Sequence, residues 1–569
     1  MLANTDLEFA IYSFYFRTHL GETFGIMRRS LFVILWLSTV VTASSSIAQS
    51  LSVKPRLLLV LSIDQMRFDY LTRFGPLYKG GLRMLLDRGA VFTNANYRHS
   101  ATETGPGHSV ILSGRHPSHS GIVANEWYDF YLRKPVNVVD DPAQRAVGGS
   151  GRSASPANAL SFTIGDVLKA KSPQSHVVGV SLKDRSAILL GGRRADAAYW
   201  YETAGGNFIT STFYTVEPPA WLVALNNRHM ADSHAGQVWT RLLPDTAAYE
   251  RYAGKDDIEG EWDRKDTVFP HVIRGKPPET AFYDDLRRTP IADEMTLDVA
   301  LEAMTAHHVG EDSVTDIFAI GFSATDVIGH TYGADSQEMM DQLLRLDLVL
   351  DRLFKAVDAK VGLANTLVVL TADHGSLPLV ENLQAKGVDA KRVAPAILEN
   401  AVKQSLAKKF PGTDSLIRYY AAPDFYLDDD VIQRSKLNRK DIENTAIQAL
   451  LATGLVAKVY TADDLRGSQP ASDPYFRLFQ NAFFEPRSPQ LNVLLKQYVY
   501  LSAAVGGTGH GTAYEYDRHV PIVFMGSGVR PGMYNELCGP EDIAPTLGLM
   551  LDLDLPHEQD SRFLREMLP

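Results

Sequence analysis

The chain has a single cysteine, Cys538, in 569 residues. No disulfide can form within it and no Cys-rich zinc module can be built, so any metal must be held by His, Asp and Glu. Basic charge is also short: 56 Lys and Arg stand against 67 Asp and Glu, a formal net charge of −11. A nucleic-acid-binding surface would want a basic field, which argues against nucleic acid as a partner. Internal repeats and low-complexity tracts are missing. What is there is ordinary for a folded, soluble chain: 45% apolar and 22% charged residues, which argues against disorder and against a polytopic membrane protein. The length exceeds one simple domain. It suits a large α/β catalytic domain carrying insertions, or roughly two to four domains.

The N-terminus reads as an export signal. Met27-Arg28-Arg29-Ser30 is a basic start, Leu31 to Leu37 an apolar stretch, and Ser46-Ile47-Ala48-Gln49 a small-x-small cleavage site. The apolar stretch is too short to span a bilayer comfortably. No cysteine follows it, so neither a lipid anchor nor any stable membrane anchor is expected after cleavage. Residues 1–26 are expected to be a gene-start artefact and residues 27–48 a signal peptide. The mature chain would begin near Gln49, in the periplasm or outside the cell.

Five apolar runs read as strands buried on both faces: Leu57–Ile63, Val177–Leu182, Ile317–Phe322, Leu367–Ala372 and Val520–Met525. Between them lie helical patterns. The clearest runs from Ser336 to about Ala359, with Leu343, Leu346, Leu350, Leu353 and Val357 on one face. Strands alternating with helices imply a mostly parallel sheet, whose functional groups gather at the carboxyl ends of its strands. Four of the five runs are followed directly or closely by a charged residue: Asp64, Lys183, Asp326 and Asp373.

The chemistry-bearing residues lie after those strands and in nearby loops. Asp373-His374-Gly375 puts a carboxylate and an imidazole before a turn. Asp326 and His330 stand four apart, able to face one point from a helical turn. His510 sits alone in the glycine-rich Gly506–Gly511. Singly, each is as well explained by a helix cap or a solvated surface pair. Together with Asp64 they supply three Asp and three His, the oxygen and nitrogen ligands expected of a two-zinc site. Thr104, before Gly105-Pro106-Gly107-His108, is either a helix cap or a hydroxyl nucleophile at a helix N-terminus facing an anion. Lys183-Asp184-Arg185 places two cations at i and i+2. On an extended chain they point the same way, as phosphate recognition wants.

The ordered set Ile63-Asp64-Gln65-Met66-Arg67, Thr104-x-x-Gly107-His108, His119-x-Gly121-Ile122 with Asn125-x-Trp127-Tyr128, Ser181 to Arg185, Thr325-Asp326-x-x-Gly329-His330, Ala372 to Gly375 and Gly509-His510-Gly511 resembles the alkaline phosphatase superfamily. Within it, the resemblance is to the type I phosphodiesterase/nucleotide pyrophosphatase-like branch, and there to the phosphate-irrepressible periplasmic alkaline phosphatases. It spans roughly residues 55–565, and Asp542-Ile543-Ala544-Pro545-Thr546 fits it too.

The resemblance implies an α/β fold: an alkaline-phosphatase-like three-layer α/β/α sandwich with a mostly parallel central sheet and inserted cap segments. The catalytic domain would comprise residues 49–212, 291–376 and 501–569, with insertions at 213–290 and 377–500. The resemblance also implies two zinc ions per chain. Asp64, Asp373 and His374 would hold one, together with the Thr104 oxygen. Asp326, His330 and His510 would hold the other. Thr104 would be the nucleophile, and Asn125, Lys183 and Arg185 would grip the non-bridging oxygens. In the family the Lys-x-Arg pair marks the monoesterases. The expected substrates are small phosphate monoesters, with inorganic phosphate as product and a monomeric enzyme. Gly105-Pro106 departs from the related pattern after the nucleophile, although proline in a first helical turn is well tolerated.

Three other functions stay open from the sequence: a phosphodiesterase or pyrophosphatase on the same scaffold, a sulfatase, and a non-catalytic metal- or phosphate-binding protein. A sulfatase needs Cys or Ser in a Cys/Ser-x-Pro-x-Arg setting, which Cys538 lacks. All six ligands and the hydroxyl are present, which speaks against a dead site. The aromatics Trp221, Trp239, Trp262, Tyr475 and Phe483 are expected to fill satellite cores of the insertions.

Overall fold

The structure, a computed structural model, describes residues 54–262, 265–468, 472–558 and 561–569. The proposed artefact and signal segments lie outside the described residues. Among those described, no helix is long and apolar enough to cross a membrane.

Strand Leu57–Ile63 shows how sequence becomes architecture. Side chains alternate across a strand, and Leu57, Leu59, Leu61 and Ile63 enter one core while Leu58 and Val60 enter another. Both faces are covered, so the run must be apolar throughout. The strand pairs in parallel with Asp316–Phe322 on one side and Thr366–Thr371 on the other. Val177–Ser181 and Ala197–Glu202 extend the parallel centre. Ten strands form the sheet. Its margins are mixed: Ile522–Gly526 runs antiparallel to Thr366–Thr371, and Asn207–Ser211 antiparallel to Ala197–Glu202.

Helices cover both faces, giving the three-layer α/β/α arrangement. On one side lies Gln337–Lys360, whose Leu343, Leu346, Leu350, Leu353 and Val357 are all buried. Its start is fixed by Ser336, whose hydroxyl accepts the Met339 N–H at 3.0 Å. On the other side lie Ile164–Lys171 and Ile543–Leu551.

The two long segments between catalytic parts differ in character. Residues 213–290 pack into the main core through Trp239, Tyr249, Phe269 and Phe282. Within 377–500, strands Ile417–Ala421, Asp424–Leu427, Val456–Thr461 and Leu491–Leu495 form a sheet of their own. Helices Ala396–Lys409 and Arg439–Ala452 close a core around it. Tyr475 and Phe483 sit in a smaller aromatic cluster with Tyr460 and Phe479. Three tryptophans differ from the satellite-core expectation: Trp239 lies in the main core and Trp221 packs against it, and Trp262 fills no core. It is 47% exposed, and its ring lies against Gly507 in the loop that carries His510.

Candidate active site

Four parallel strands end on one side of the sheet, and each delivers a polar residue there. Asp64 follows Ile63 directly, Asp373 follows Thr371 by two residues, and Lys183 follows Ser181 by two. The strand Asp316–Phe322 passes into the helix Ala324–Tyr332, whose first and last turns carry Asp326 and His330. Spacing of four on that helix brings His330 Nε2 to 3.2 Å from Asp326 Oδ1.

Two metal-ready groups result. Asp64, Asp373 and His374 are fully buried and bring one ligand atom each within 4.8 Å of one another, as do Asp326, His330 and His510. The groups adjoin, because the His374 and His510 rings stack at 3.6 Å between centroids. Each imidazole is oriented from behind. His374 Nδ1 donates to Gly375 O at 2.9 Å, His330 Nδ1 to Thr508 O at 2.7 Å, and His510 Nδ1 to Thr102 O at 2.8 Å. These bonds set the tautomer and leave Nε2 free to act as a ligand atom in all three. Burial holds the His374 and His510 pKa values below the ordinary 6.5, so both stay neutral and able to coordinate.

The carboxylates tell the same story. Asp64 Oδ1 is buried without a hydrogen bond, while Asp64 Oδ2 has the Lys183 ammonium beside it and Asp373 Oδ2 the His108 ring. Burial, and then Asp373, push the Asp64 carboxyl well above its usual range. Lys183 Nζ, 2.7 Å from Asp64 Oδ2 and 2.5 Å from Asp326 Oδ2, bridges the two groups as an ion pair. Burial alone would lower the Lys183 pKa; Asp326 and Asp64 outweigh it and raise it. Buried anionic oxygens without hydrogen bonds are costly unless a cation holds them. The residues present therefore fit a pair of borderline-to-hard divalent ions.

Thr104 opens the helix Thr104–Ser113, after an extended Glu103. Its Oγ1 lies 3.5 Å from each of His374 Nε2, Lys183 Nζ and Arg185 Nη2. Pro106 occupies the first turn, where no intrahelical donor is needed, and the helix proceeds through it unbroken. Lys183 is extended (φ −100°, ψ 138°), whereas Arg185 already lies in the helix Asp184–Gly191. The two cations thus converge on Thr104 by a strand end and a helical turn rather than by one extended segment. Arg185 Nε is buried without a hydrogen-bond partner. Asn125 Oδ1 accepts the Gly105 N–H at 2.7 Å, which identifies that atom as oxygen and leaves both Nδ2 hydrogens for another acceptor.

Every residue proposed from the sequence as ligand, nucleophile or phosphate-gripping group is thus in this one region. Three others were not assigned a role. Gln65, in the left-handed conformation (φ 64°), donates through its backbone to Asp373 Oδ1 at 3.1 Å and through Nε2 to Asp326 Oδ1 at 2.9 Å. His108 Nδ1 lies 2.9 Å from Thr104 O and 3.1 Å from Asp373 Oδ2. Its spacing of four from Thr104 was the available signal. Glu103 Oε2 accepts the Asn125 N–H at 2.7 Å. Cys538 is fully buried, and burial, then Asp542, push its thiol up to about 12, so it is no reactive centre.

A sheet with metal-ready carboxylates and imidazoles at its strand ends, around a helix-opening threonine, defines a phosphoryl-transfer hydrolase of known type. Residues 58–517 match the model of the type I phosphodiesterase / nucleotide pyrophosphatase family, and the chain belongs to that family. Among its relatives is the alkaline phosphatase PafA of Elizabethkingia meningoseptica, 34% identical over 529 residues, or 90% of this chain and 95% of the relative. The alkaline phosphatase PhoV of Synechococcus elongatus is 32% identical over 531 residues, 90% of this chain and 93% of the relative. The crystal structure of wild-type alkaline phosphatase PafA superposes with a TM-score of 0.83 at 32% identity, covering 91% of this chain and 99% of that one.

Proposed function

We propose that the chain is an exported alkaline phosphatase that hydrolyses small phosphate monoesters through a phosphothreonine on Thr104. The observation that carries this reading is the Thr104 hydroxyl, 3.5 Å from a metal-ready imidazole nitrogen and from two cations at once. The relatives named above, alkaline phosphatases over nearly their whole length, support it.

Two zinc ions, one in each group, would supply Lewis acidity at the nucleophile and the leaving oxygen and lower the pKa of a bound water. The protein's own residues do the rest. The helix N-terminus and His374 place Thr104 Oγ1 for in-line attack. Its oxygen bonds to phosphorus as the ester P–O bond breaks; the hydroxyl proton is released and the departing alkoxide gains one. Lys183, Arg185 and Asn125 meet the equatorial oxygens, where transition-state charge gathers. Water then attacks phosphorus from the vacated side, freeing inorganic phosphate and restoring the hydroxyl. A monoester carries one more anionic oxygen than a diester, and the buried Lys183 with the half-buried Arg185 favours the more highly charged ester.

Export to the periplasm or beyond is supported by the Met27–Gln49 pattern, and a monomer is proposed. The first test is the ratio of kcat/KM for 4-nitrophenyl phosphate to that for its bis-ester, on the zinc-loaded chain beginning at Gln49. Strong monoester preference is expected; a strong diester preference would move the protein to the phosphodiesterase branch while keeping Thr104 and the metals. Thr104→Ala is expected to abolish turnover with about two zinc ions still bound. Near-normal turnover would remove Thr104 as nucleophile.

A further inference from the structure

Beside the site lies a cavity of about 230 Å³. It is shared between the catalytic scaffold and the segment 377–500. His510, from the second metal-ready group, lines one wall together with Glu103, the neighbour of the nucleophile. Asp424, Tyr426 and Tyr500 line the other. Thr104 Oγ1 sits against His374, whose ring stacks on His510, so the cavity lined by His510 adjoins the reacting hydroxyl, and in-line displacement sends the leaving group away from the nucleophile.

The cavity has charge of one sign. Its lining includes three carboxylates, Glu103, Glu126 and Asp424, and no Lys or Arg. Each carboxylate is held in place through one oxygen. Asp424 Oδ1 accepts the Val493 N–H at 2.7 Å, Glu103 Oε2 accepts the Asn125 N–H at 2.7 Å, and Glu126 Oε1 accepts the Tyr419 hydroxyl at 2.9 Å. Burial and Glu103, against the Val493 N–H, push the Asp424 carboxyl up to about 7, so it is anionic in alkaline solution. The cations of the site are elsewhere: Lys183 and Arg185 converge on Thr104. The substrate is thus sorted by charge, with the phosphoryl dianion on the Thr104 side and an acidic, tyrosine-lined space for what remains.

We propose that this cavity receives the leaving group and selects phosphate monoesters whose alcohol bears an ammonium over those whose alcohol bears a second phosphate. This rests on the phosphatase reading above. An ammonium gains from all three carboxylates of the lining. A second phosphate meets like charge with no Lys or Arg in the lining, the nearby Arg392 being paired with Glu381, which is discrimination by repulsion as well as by attraction.

The test uses the zinc-loaded wild-type chain and Asp424→Asn at alkaline pH and low ionic strength, where surface charge is least screened. kcat/KM is measured for O-phosphorylethanolamine and for ethylene glycol bisphosphate, each relative to 4-nitrophenyl phosphate in the same protein. Comparing the two proteins cancels the intrinsic reactivity of each ester. The ammonium-to-bisphosphate ratio is expected to fall roughly two- to fivefold in Asp424→Asn, the size that one partly solvated charge pair delivers. Exposed Glu126→Gln, which leaves the buried lining intact, should lower it in the same direction. A ratio unchanged in both variants, with 4-nitrophenyl phosphate still turned over, overturns the leaving-group proposal alone. Absence of any turnover of 4-nitrophenyl phosphate in the wild type sinks the phosphatase reading and this proposal together.

Discussion

At the scale of single residues, the site depends on close approach as much as on ligands. Gly107 lies on the first turn of the Thr104 helix, and a Cβ there would overlap the Asp373 carbonyl. The glycine lets the Thr104 helix rest on the chain that carries Asp373 and His374. Gly107→Ala must push one of them aside. We expect it to destabilise the fold by about 1–3 kcal/mol, the usual penalty for overpacking, and to lower zinc stoichiometry, read by metal analysis and thermal unfolding. A variant with full zinc and unchanged Tm would show that the contact is slack. The cations act differently. Removing one preorganised donor commonly costs about 100-fold or more in kcat, and Lys183 and Arg185 are two. Lys183→Ala with Arg185→Ala should therefore cost monoester turnover at least that much and diester turnover far less. An equal loss on both ester classes would end the argument that this pair sets substrate class.

At the scale of elements, the segment 213–290 is tied to the sheet-covering helix by buried polar contacts. His271 bonds Glu338 through Nε2 and Asp266 through Nδ1, both at 3.0 Å. Trp239 Nε1 donates to Asp341 at 2.7 Å, one turn further along. Burial would lower the His271 pKa, but Glu338 and Asp266 outweigh it and raise it above 6.5. The rings around it, Trp239, Phe269 and Tyr332, carry no charge at neutral pH. A proton held more tightly in the folded state stabilises the fold fully below 6.5, and that share is lost as pH rises through the raised folded value. Burial also raises the Glu338 carboxyl, so its ionisation weakens the fold in the same direction. Exchanging both, His271→Asn with Glu338→Gln, should lower Tm by a few degrees in mildly acidic solution, and the gap should close as pH rises above 6.5. A gap independent of pH would mean that the pair is not protonated in the fold.

This element scale also separates what was legible in the sequence from what was not. Leu57–Ile63 and Asp316–Phe322 are readable because burial on both faces forces unbroken apolar runs. Ile417–Ala421 carries Arg418 ahead of the half-buried Tyr419 and Tyr420 and belongs to a small sheet with one covered face, so no run announces it. The antiparallel sense of Ile522–Gly526 is set by the path of the chain after the 377–500 segment, which leaves no mark within the strand. In the site, ligands stand out because Asp and His are conspicuous after apolar strands. Gln65 and Glu103 act through hydrogen bonds to partners distant or divergent in sequence, and neither residue type signals that on its own.

At the scale of the whole molecule, the two metal-ready groups gather residues spread from Asp64 to His510, through strand ends, a helix and a glycine-rich loop. Three buried carboxylates, Asp64, Asp326 and Asp373, meet there with Lys183 as their main cation. Such a cluster opposes folding unless positive charge is supplied to it. An unfolded chain cannot hold six ligands spread across some 450 positions in one place, so ions bind the folded state alone and stabilise it by mass action. Free metal at about 1,000 times its dissociation constant adds roughly 4 kcal/mol per site. A chelator should therefore lower Tm by several degrees as it abolishes turnover, and added zinc should restore both. In Asp373→Ala the chelator's effect on Tm should be reduced, because one group has lost a ligand and the buried repulsion is eased. If the chelator removes activity while Tm stays constant, the ions serve the chemistry alone, and Lys183 and the hydrogen bonds from Gln65 suffice to hold the strand ends together.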